Sequence, residues 1–125
     1  LEELRVGRAR VVAAYERALG GLDWVTLPRA GVGETVDWFV YVLRLHPDID
    51  RDGLIGRLAA LGVPSRPYFA PIHLQPFYRT TFGFRAGDFP VTERVAASTL
   101  ALPFSSRLSD EDVRYVADAL SEAVG

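Results

Sequence analysis

Hydrophobic residues recur every three or four positions in three stretches of the chain, and this spacing predicts amphipathic helices. The stretches are Leu1–Gly20, Arg51–Leu61 and the residues that follow Ser109. Gly20 and Gly62 stand where the first two helices should end, because glycine readily adopts the conformations of a helix C-terminus. Three consecutive acidic residues follow Ser109. A hydroxyl cap followed by acids is typical of a helix start, so the last helix should begin there.

Apolar runs predict four strands, at Trp24–Leu27, Val36–Leu45, Val63–Phe69 and Thr99–Phe104. The second run is apolar at both sets of alternate positions, which predicts a central strand covered on both faces. The order strand, helix, strand favours a parallel pairing of Val36–Leu45 with Val63–Phe69 through a crossover. Pro103 indicates that the last strand lies at an edge or ends there, since proline lacks the N–H needed for a sheet ladder.

Two further segments complete the chain. Arg79–Asp88 is interpreted as a polar link, and Pro90 suits the first turn of a short helix at Val91–Ser98. Glu93 is expected on the solvated face of that helix. Together the elements predict an α+β fold with a small, mostly antiparallel sheet of three or four strands packed by helices, in a single domain covering residues 1–125.

Half of the chain's prolines lie in Gly62–Tyr78, which reads GVPSRPYFAPIHLQPFY. Each proline fixes its own φ and favours an extended predecessor, so the part after about Phe69 is predicted to be an ordered, extended loop. A rigid loop of this kind can present chemistry from a scaffold. The alternative is a buried connector whose aromatic side chains fill the core. The candidate site residues are the polar and aromatic ones, namely Arg66, Tyr68, His73 and Gln75.

Composition excludes several kinds of active site. All 14 basic residues are arginine, so the chain cannot supply a lysine amine for a Schiff base. His46 and His73 are 27 positions apart and there is no cysteine, which does not make a metal-ligand set. No nucleophile motif surrounds any serine. The residues alone therefore identify no catalytic residue and no metal site, and His46 is interpreted as a strand-end residue.

Charge and hydropathy bear on partners and location. The net charge of −2 gives no electrostatic reason to expect nucleic-acid binding. No apolar run approaches the roughly 18 residues of a membrane span, so no membrane association is expected. The charged first residues do not resemble a signal peptide. The lack of cysteine fits a reducing compartment, and a cytoplasmic location is expected.

Four stretches resemble the C-terminal small domain of the DegT/DnrJ/EryC1/StrS aminotransferases, which use pyridoxal phosphate to aminate keto sugars attached to nucleotides. They are LEELRVGRARVVAAYERAL, DWFVYVLRLHPDIDRDGLIGRLAALGV, SRPYFAPIHLQPFYR and FPVTERVAASTLALPFSSRLSDEDVRYVADAL. The third is similar to the family's Tyr-Tyr-x-Pro-Leu-His loop, with Phe69 in place of the second Tyr and Ile72 in place of Leu. The fourth resembles its Pro-x-x-Glu and Leu-x-Leu-Pro motifs.

The resemblance implies that the chain is the C-terminal fragment of a longer enzyme, inactive alone. An N-terminal large domain would hold the Schiff-base lysine and most contacts to pyridoxal phosphate. The resemblance further implies a nucleotide-sugar substrate, glutamate as amino donor and a homodimer. It places His73 beside the cofactor and substrate and Tyr68 on the approach to that pocket, on a domain that closes one wall of the cleft. The alternative is a stand-alone α+β module that binds a ligand or partner without catalysis.

Overall fold

The computed structural model describes residues 1–125, in which five helices surround a three-stranded sheet. The helices are α1 (Glu2–Leu19), α2 (Arg51–Ala60), α3 (Pro76–Phe82), α4 (Pro90–Ser98) and α5 (Asp110–Val124). The strands are β1 (Val25–Thr26), β2 (Tyr41–Leu45) and β3 (Thr99–Leu102), and a short 3₁₀ helix, Ile72–Leu74, precedes α3. The predicted α+β class, with a small antiparallel sheet packed by helices, is confirmed.

The sheet has the order β1-β2-β3 with both pairings antiparallel, so β2 is the central strand as predicted. Tyr41 lies opposite Leu102, and Leu43 lies opposite Leu100. Opposite residues of an antiparallel pair share a face. These four side chains are buried in the hydrophobic core, as is Leu45 of β2.

Strand β2 is shorter than the predicted Val36–Leu45. Its register with β3 ends at Tyr41 opposite Leu102. Residues before Tyr41 make other contacts instead; for example, the Asp37 carboxylate accepts a hydrogen bond of 2.7 Å from Arg5 Nε of α1.

Coverage of both faces of β2 was predicted and is wrong. Arg44 of β2 is exposed and Val42 is half-buried, while the side chains between them and on either side are buried. Of the second set of apolar positions, Val36, Trp38 and Val40 precede the strand, and Val42 is the one that lies within it. In β3 all four residues are buried, so it is β3 that is covered on both faces.

The predicted strand Val63–Phe69 and its parallel pairing with Val36–Leu45 are not formed. Within this stretch only Arg66 pairs with the sheet, through a single antiparallel bridge in which Arg66 and Ala101 exchange both backbone hydrogen bonds. In the same register Pro64 would lie opposite Pro103, and neither has an N–H to donate, which ends the pairing on that side. Arg66 pairs antiparallel with β3, and β3 pairs antiparallel with β2. The stretch around Arg66 therefore runs parallel to β2 but is separated from it by β3.

The predicted extended loop after Phe69 is also wrong, since it contains the 3₁₀ helix and α3. Pro76 occupies the first turn of α3, where its missing N–H would have had no helical partner in any case. Gly83 ends the helix with φ of 72° in the left-handed region. The proline signal was interpreted as preventing a helix here, whereas it starts one. Consequently the predicted link Arg79–Asp88 begins as helix.

The termini of the chain enclose the core. Helix α1 packs on α5, and α2 also packs on α5. Helix α5 begins with the predicted cap: the Ser109 hydroxyl accepts from the Asp112 N–H at 3.0 Å, and the Asp112 carboxylate accepts from the Ser109 N–H at 2.9 Å. This reciprocal arrangement satisfies two N–H groups at the helix start. None of the five helices combines the length and apolarity needed to cross a membrane.

Two buried tyrosines stack at the centre of the core. The rings of Tyr15 in α1 and Tyr41 in β2 lie with centroids 4.6 Å apart and planes 13° apart. Burial raises the pKa of both phenols, so both stay neutral at ordinary pH. The Tyr15 hydroxyl donates to the Pro103 carbonyl at 2.7 Å, whereas the buried Tyr41 hydroxyl has no hydrogen-bond partner.

This difference predicts opposite effects for the same substitution. Tyr15→Phe leaves the Pro103 carbonyl without its donor and should lower the free energy of unfolding by about 1–2 kcal/mol. Tyr41→Phe removes an unsatisfied hydroxyl and should leave stability unchanged or raise it. Urea unfolding of the two variants and the wild type measures both. Equal losses in the two variants would contradict the hydrogen-bond assignment.

Candidate functional site

Residues 64–98, called here the outer segment, lie outside the hydrophobic core. The core cluster and the half-buried apolar residues packed on it include no residue of this segment. Helices α3 and α4 contain no buried residue. The one buried residue of the outer segment is His73, whose exposed fraction is 7%. Buried polar side chains usually have a hydrogen-bond partner, so a buried His73 is expected to have one.

His73 is held by Glu93. Nε2 of His73, in the 3₁₀ helix, lies 2.9 Å from Oε1 of Glu93, in the first turn of α4. A carboxylate oxygen only accepts, so Nε2 carries the proton and donates it. The contact spans 20 residues of sequence and joins the start of the outer segment to its end.

The same carboxylate also organises the loop between α3 and α4. The Gly87 N–H donates to both carboxylate oxygens, at 2.9 and 3.1 Å, and the Phe89 N–H donates to Oε1 at 3.4 Å. These bonds lower the pKa of the Glu93 carboxyl, the contact with His73 being the largest cause and the Gly87 N–H the next. Glu93 therefore remains ionised at neutral pH as the acceptor for three donors.

Aromatic rings enclose the imidazole. The ring of Phe89 lies 4.8 Å from that of His73, centroid to centroid, and the ring of Phe84 lies 6.3 Å away in an edge-to-face arrangement. Phe84 and Phe89 also contact each other at 5.5 Å. Such rings lower the local polarity, and a charge-assisted hydrogen bond is stronger where water is scarce.

The other candidate residues do not meet His73 at one site. Tyr68 lines a cavity of about 370 Å³ together with Glu93, Arg51 and apolar residues. Arg66 lines a different cavity, of about 300 Å³. The other residues around this cavity belong to the end of β3, to the two positions after β3, and to the chain just before Arg66 and before β2. Gln75 is exposed at the start of α3 and makes no side-chain cap there. Of the candidate residues, Tyr68 is therefore the one that lines a cavity together with Glu93, the hydrogen-bond partner of His73.

Glu93 was expected on a solvated face. Its side chain is instead 24% exposed and accepts hydrogen bonds from His73 and from the N–H groups of Gly87 and Phe89. The signal that could have identified it is the Pro-x-x-Glu motif beginning at Pro90, since an acid in the first turn of a helix faces unpaired N–H groups. The side chain of His46, the strand-end histidine, is by contrast exposed, and its polar contacts are with Asp48.

The sequence model described as the DegT/DnrJ/EryC1/StrS aminotransferase family matches residues 1–121. GDP-perosamine synthase of Caulobacter vibrioides is 34% identical over 128 residues, a match that covers 99% of this chain and 33% of that protein. The chain therefore spans about a third of the length of the curated relatives it matches.

Solved structures of related proteins also match this chain over about a third of their own length. The aminotransferase TlmJ from Streptoalloteichus hindustanus superimposes with a TM-score of 0.84 at 30% identity, covering 98% of this chain and 32% of that one. DesI, whose structure was determined in the presence of its TDP-sugar product, superimposes with a TM-score of 0.83 at 30% identity, with the same coverage of both chains.

The role of Glu93 predicts a specific pH dependence of stability. The pKa of Glu93 lies below its ordinary value of 4.5 in the folded chain, so its contribution is complete above about pH 4.5 and is lost as the pH falls through the lowered pKa. Glu93→Gln should therefore be less stable than the wild type at neutral pH, and the difference should shrink in acid. Urea unfolding measured from pH 7 to pH 3 tests this.

Asp118→Asn is the matched control, because Asp118 is an exposed carboxylate of α5 that makes no salt bridge. Its curve should parallel that of the wild type. If the curve of Glu93→Gln also ran parallel to the wild type, the carboxylate would not be linked to folding.

Proposed function

The chain belongs to the DegT/DnrJ/EryC1/StrS aminotransferase family, and on this premise we propose that it is the C-terminal domain of a pyridoxal-phosphate-dependent aminotransferase that aminates a nucleotide-linked keto sugar. The observation that carries the proposal is the family match over residues 1–121. The relatives are about three times as long as this chain, so the domain would act together with an N-terminal large domain.

The cofactor tests this division of labour. Pyridoxal phosphate supplies an electron sink in transamination and is held through a lysine amine. No residue of this chain is a lysine, so the chain alone does not fit the cofactor. The groups that hold it would belong to the large domain, and this fragment is expected to be inactive without it.

The substrate class is supported by what the relatives act on. One relative is a GDP-perosamine synthase, and another was crystallised with a TDP-sugar product. We therefore propose a nucleoside diphosphate sugar as the substrate. Glutamate as amino donor and a homodimeric assembly complete the proposal, and both rest on the family alone.

The contribution of this domain would be to close one wall of the active-site cleft. The supporting feature is the rigid connection from Glu93 to His73, which fixes the outer segment without using the core. The cavity beside Tyr68 borders Glu93. A wall fixed in this way would position a sugar and exclude water, and displacement of about 1 Å can cost about 100-fold in rate.

The experiment that tests the function starts from the natural polypeptide. Its intact mass should be about three times the 13.8 kDa of this chain. With pyridoxal phosphate and glutamate it should convert a nucleotide-linked keto sugar to the amino sugar, detected by mass spectrometry. A natural polypeptide with a mass near 13.8 kDa would instead favour a stand-alone binding module.

The role of the outer segment is tested in the full-length enzyme with a pair of histidine variants. His73→Ala should lower kcat/KM for the sugar nucleotide by about tenfold or more, because the wall loses its fixed position. His46→Ala is the control, since His46 is exposed and outside the outer segment. Steady-state kinetics separate the two, with circular dichroism to verify folding. Equal kinetics in both variants would leave His73 with a structural role only.

A further inference from the structure

The outer segment presents a connected set of aromatic rings to solvent. Phe77, Tyr78, Phe82, Phe84 and Phe89 form the set, called here the aromatic face, and each ring lies within 6.5 Å of another, centroid to centroid. All but Phe84 are exposed, to between 37% and 65%. A ring buries about 150–250 Å² when fully covered, so the exposed part is on the order of 400 Å². Patches of this size on soluble proteins mark interaction sites.

The aromatic face is preformed. Glu93 fixes the loop that carries Phe89, and Pro76 and Gly83 define the two ends of α3. At the other end of the segment, Arg51 of α2 donates to the carbonyl of Ala96 in α4 at 2.6 Å. A surface that is already ordered loses little conformational entropy when it is covered, which favours binding.

The outer segment carries an excess of positive charge. The outer segment contains four arginines, Arg66, Arg79, Arg85 and Arg94, and none of them makes a salt bridge within 4.0 Å. Its two carboxylates, Asp88 and Glu93, already accept hydrogen bonds within the segment. Two of the arginines, Arg79 and Arg85, line one groove of about 540 Å³ beside Phe84.

We infer that the aromatic face is the docking surface for the N-terminal part of the same polypeptide, and that the groove between Arg79 and Arg85 receives a carboxylate from it. The inference rests on the proposed function, which supplies the additional chain. The relatives are about three times as long as this chain, so two thirds of such a polypeptide remains to cover the exposed rings. Aromatic residues and arginine are the residue types enriched in interface cores.

A second copy of the same face is a poorer occupant. A two-fold interface brings identical patches together. It would bring together two outer segments that each carry four arginines against two carboxylates. Like charges brought together at an interface cost several kcal/mol. An apolar surface bordered by acids fits the charge of the aromatic face better.

Photo-cross-linking in the full-length protein tests the inference. A benzophenone amino acid is placed at position 82 in place of Phe82, and in a control protein at position 32 in place of Val32, which is fully exposed in the link after β1. The cross-linked peptides are identified by mass spectrometry. Mixing ¹⁴N- and ¹⁵N-labelled protein before assembly distinguishes links within one chain from links between copies.

The expected result is a link from position 82 to the N-terminal part of the same chain, several-fold above the yield from position 32. Arg79→Glu should reduce this yield several-fold, whereas Arg107→Glu, at an exposed arginine outside the outer segment, should not. Links between copies, or a yield no higher than the control, would overturn the inference.

The transaminase assay on the same preparation keeps the two proposals apart. An active enzyme whose position 82 links elsewhere disproves the docking surface and leaves the proposed function standing. A natural polypeptide of about 13.8 kDa removes both, since no N-terminal part would exist.

Discussion

One carboxylate holds together the part of this fold that the hydrophobic core does not reach. Glu93 accepts from the His73 imidazole and from the N–H groups of Gly87 and Phe89, and thereby joins the 3₁₀ helix, the loop after α3 and the start of α4. Residues 64–98 are otherwise held by the Arg66–Ala101 bridge, by the hydrogen bond from Arg51 to the Ala96 carbonyl and by contacts between aromatic rings. The ordered aromatic surface, and with it any role as a cleft wall, depends on this polar connection.

The core itself is simple and explains why the segment lies outside it. Helices α1 and α5 and the inner face of β2 and β3 bury their own apolar side chains. The β2–β3 ladder ends at Tyr41 opposite Leu102, and Pro64 and Pro103, which would be the next hydrogen-bonded pair after Arg66 and Ala101, both lack an N–H. The bridge from Arg66 is therefore not extended on that side, and the sheet has three strands.

Local patterns predicted what local forces decide. The helices at both ends, the capping of α5 by Ser109, the turn at Gly62 and the central place of β2 follow from periodicity and caps. The prediction of a strand at Val63–Phe69 was wrong because it followed apolar character and did not account for Pro64, which has no N–H to pair with β3. Helix α3 was missed because proline marks a helix start as well as a break. Glu93 could be recognised only with His73 beside it, a contact across 20 residues that spacing does not encode.

Amide hydrogen exchange in Glu93→Ala tests most directly whether this carboxylate fastens the outer segment independently of the core. The account predicts that exchange speeds up at Gly87 and Phe89 and across residues 64–98, while the amides of Leu43 and Leu100 in the sheet keep their protection. Unchanged protection at Gly87 and Phe89, or equal loss throughout the sheet, would contradict it.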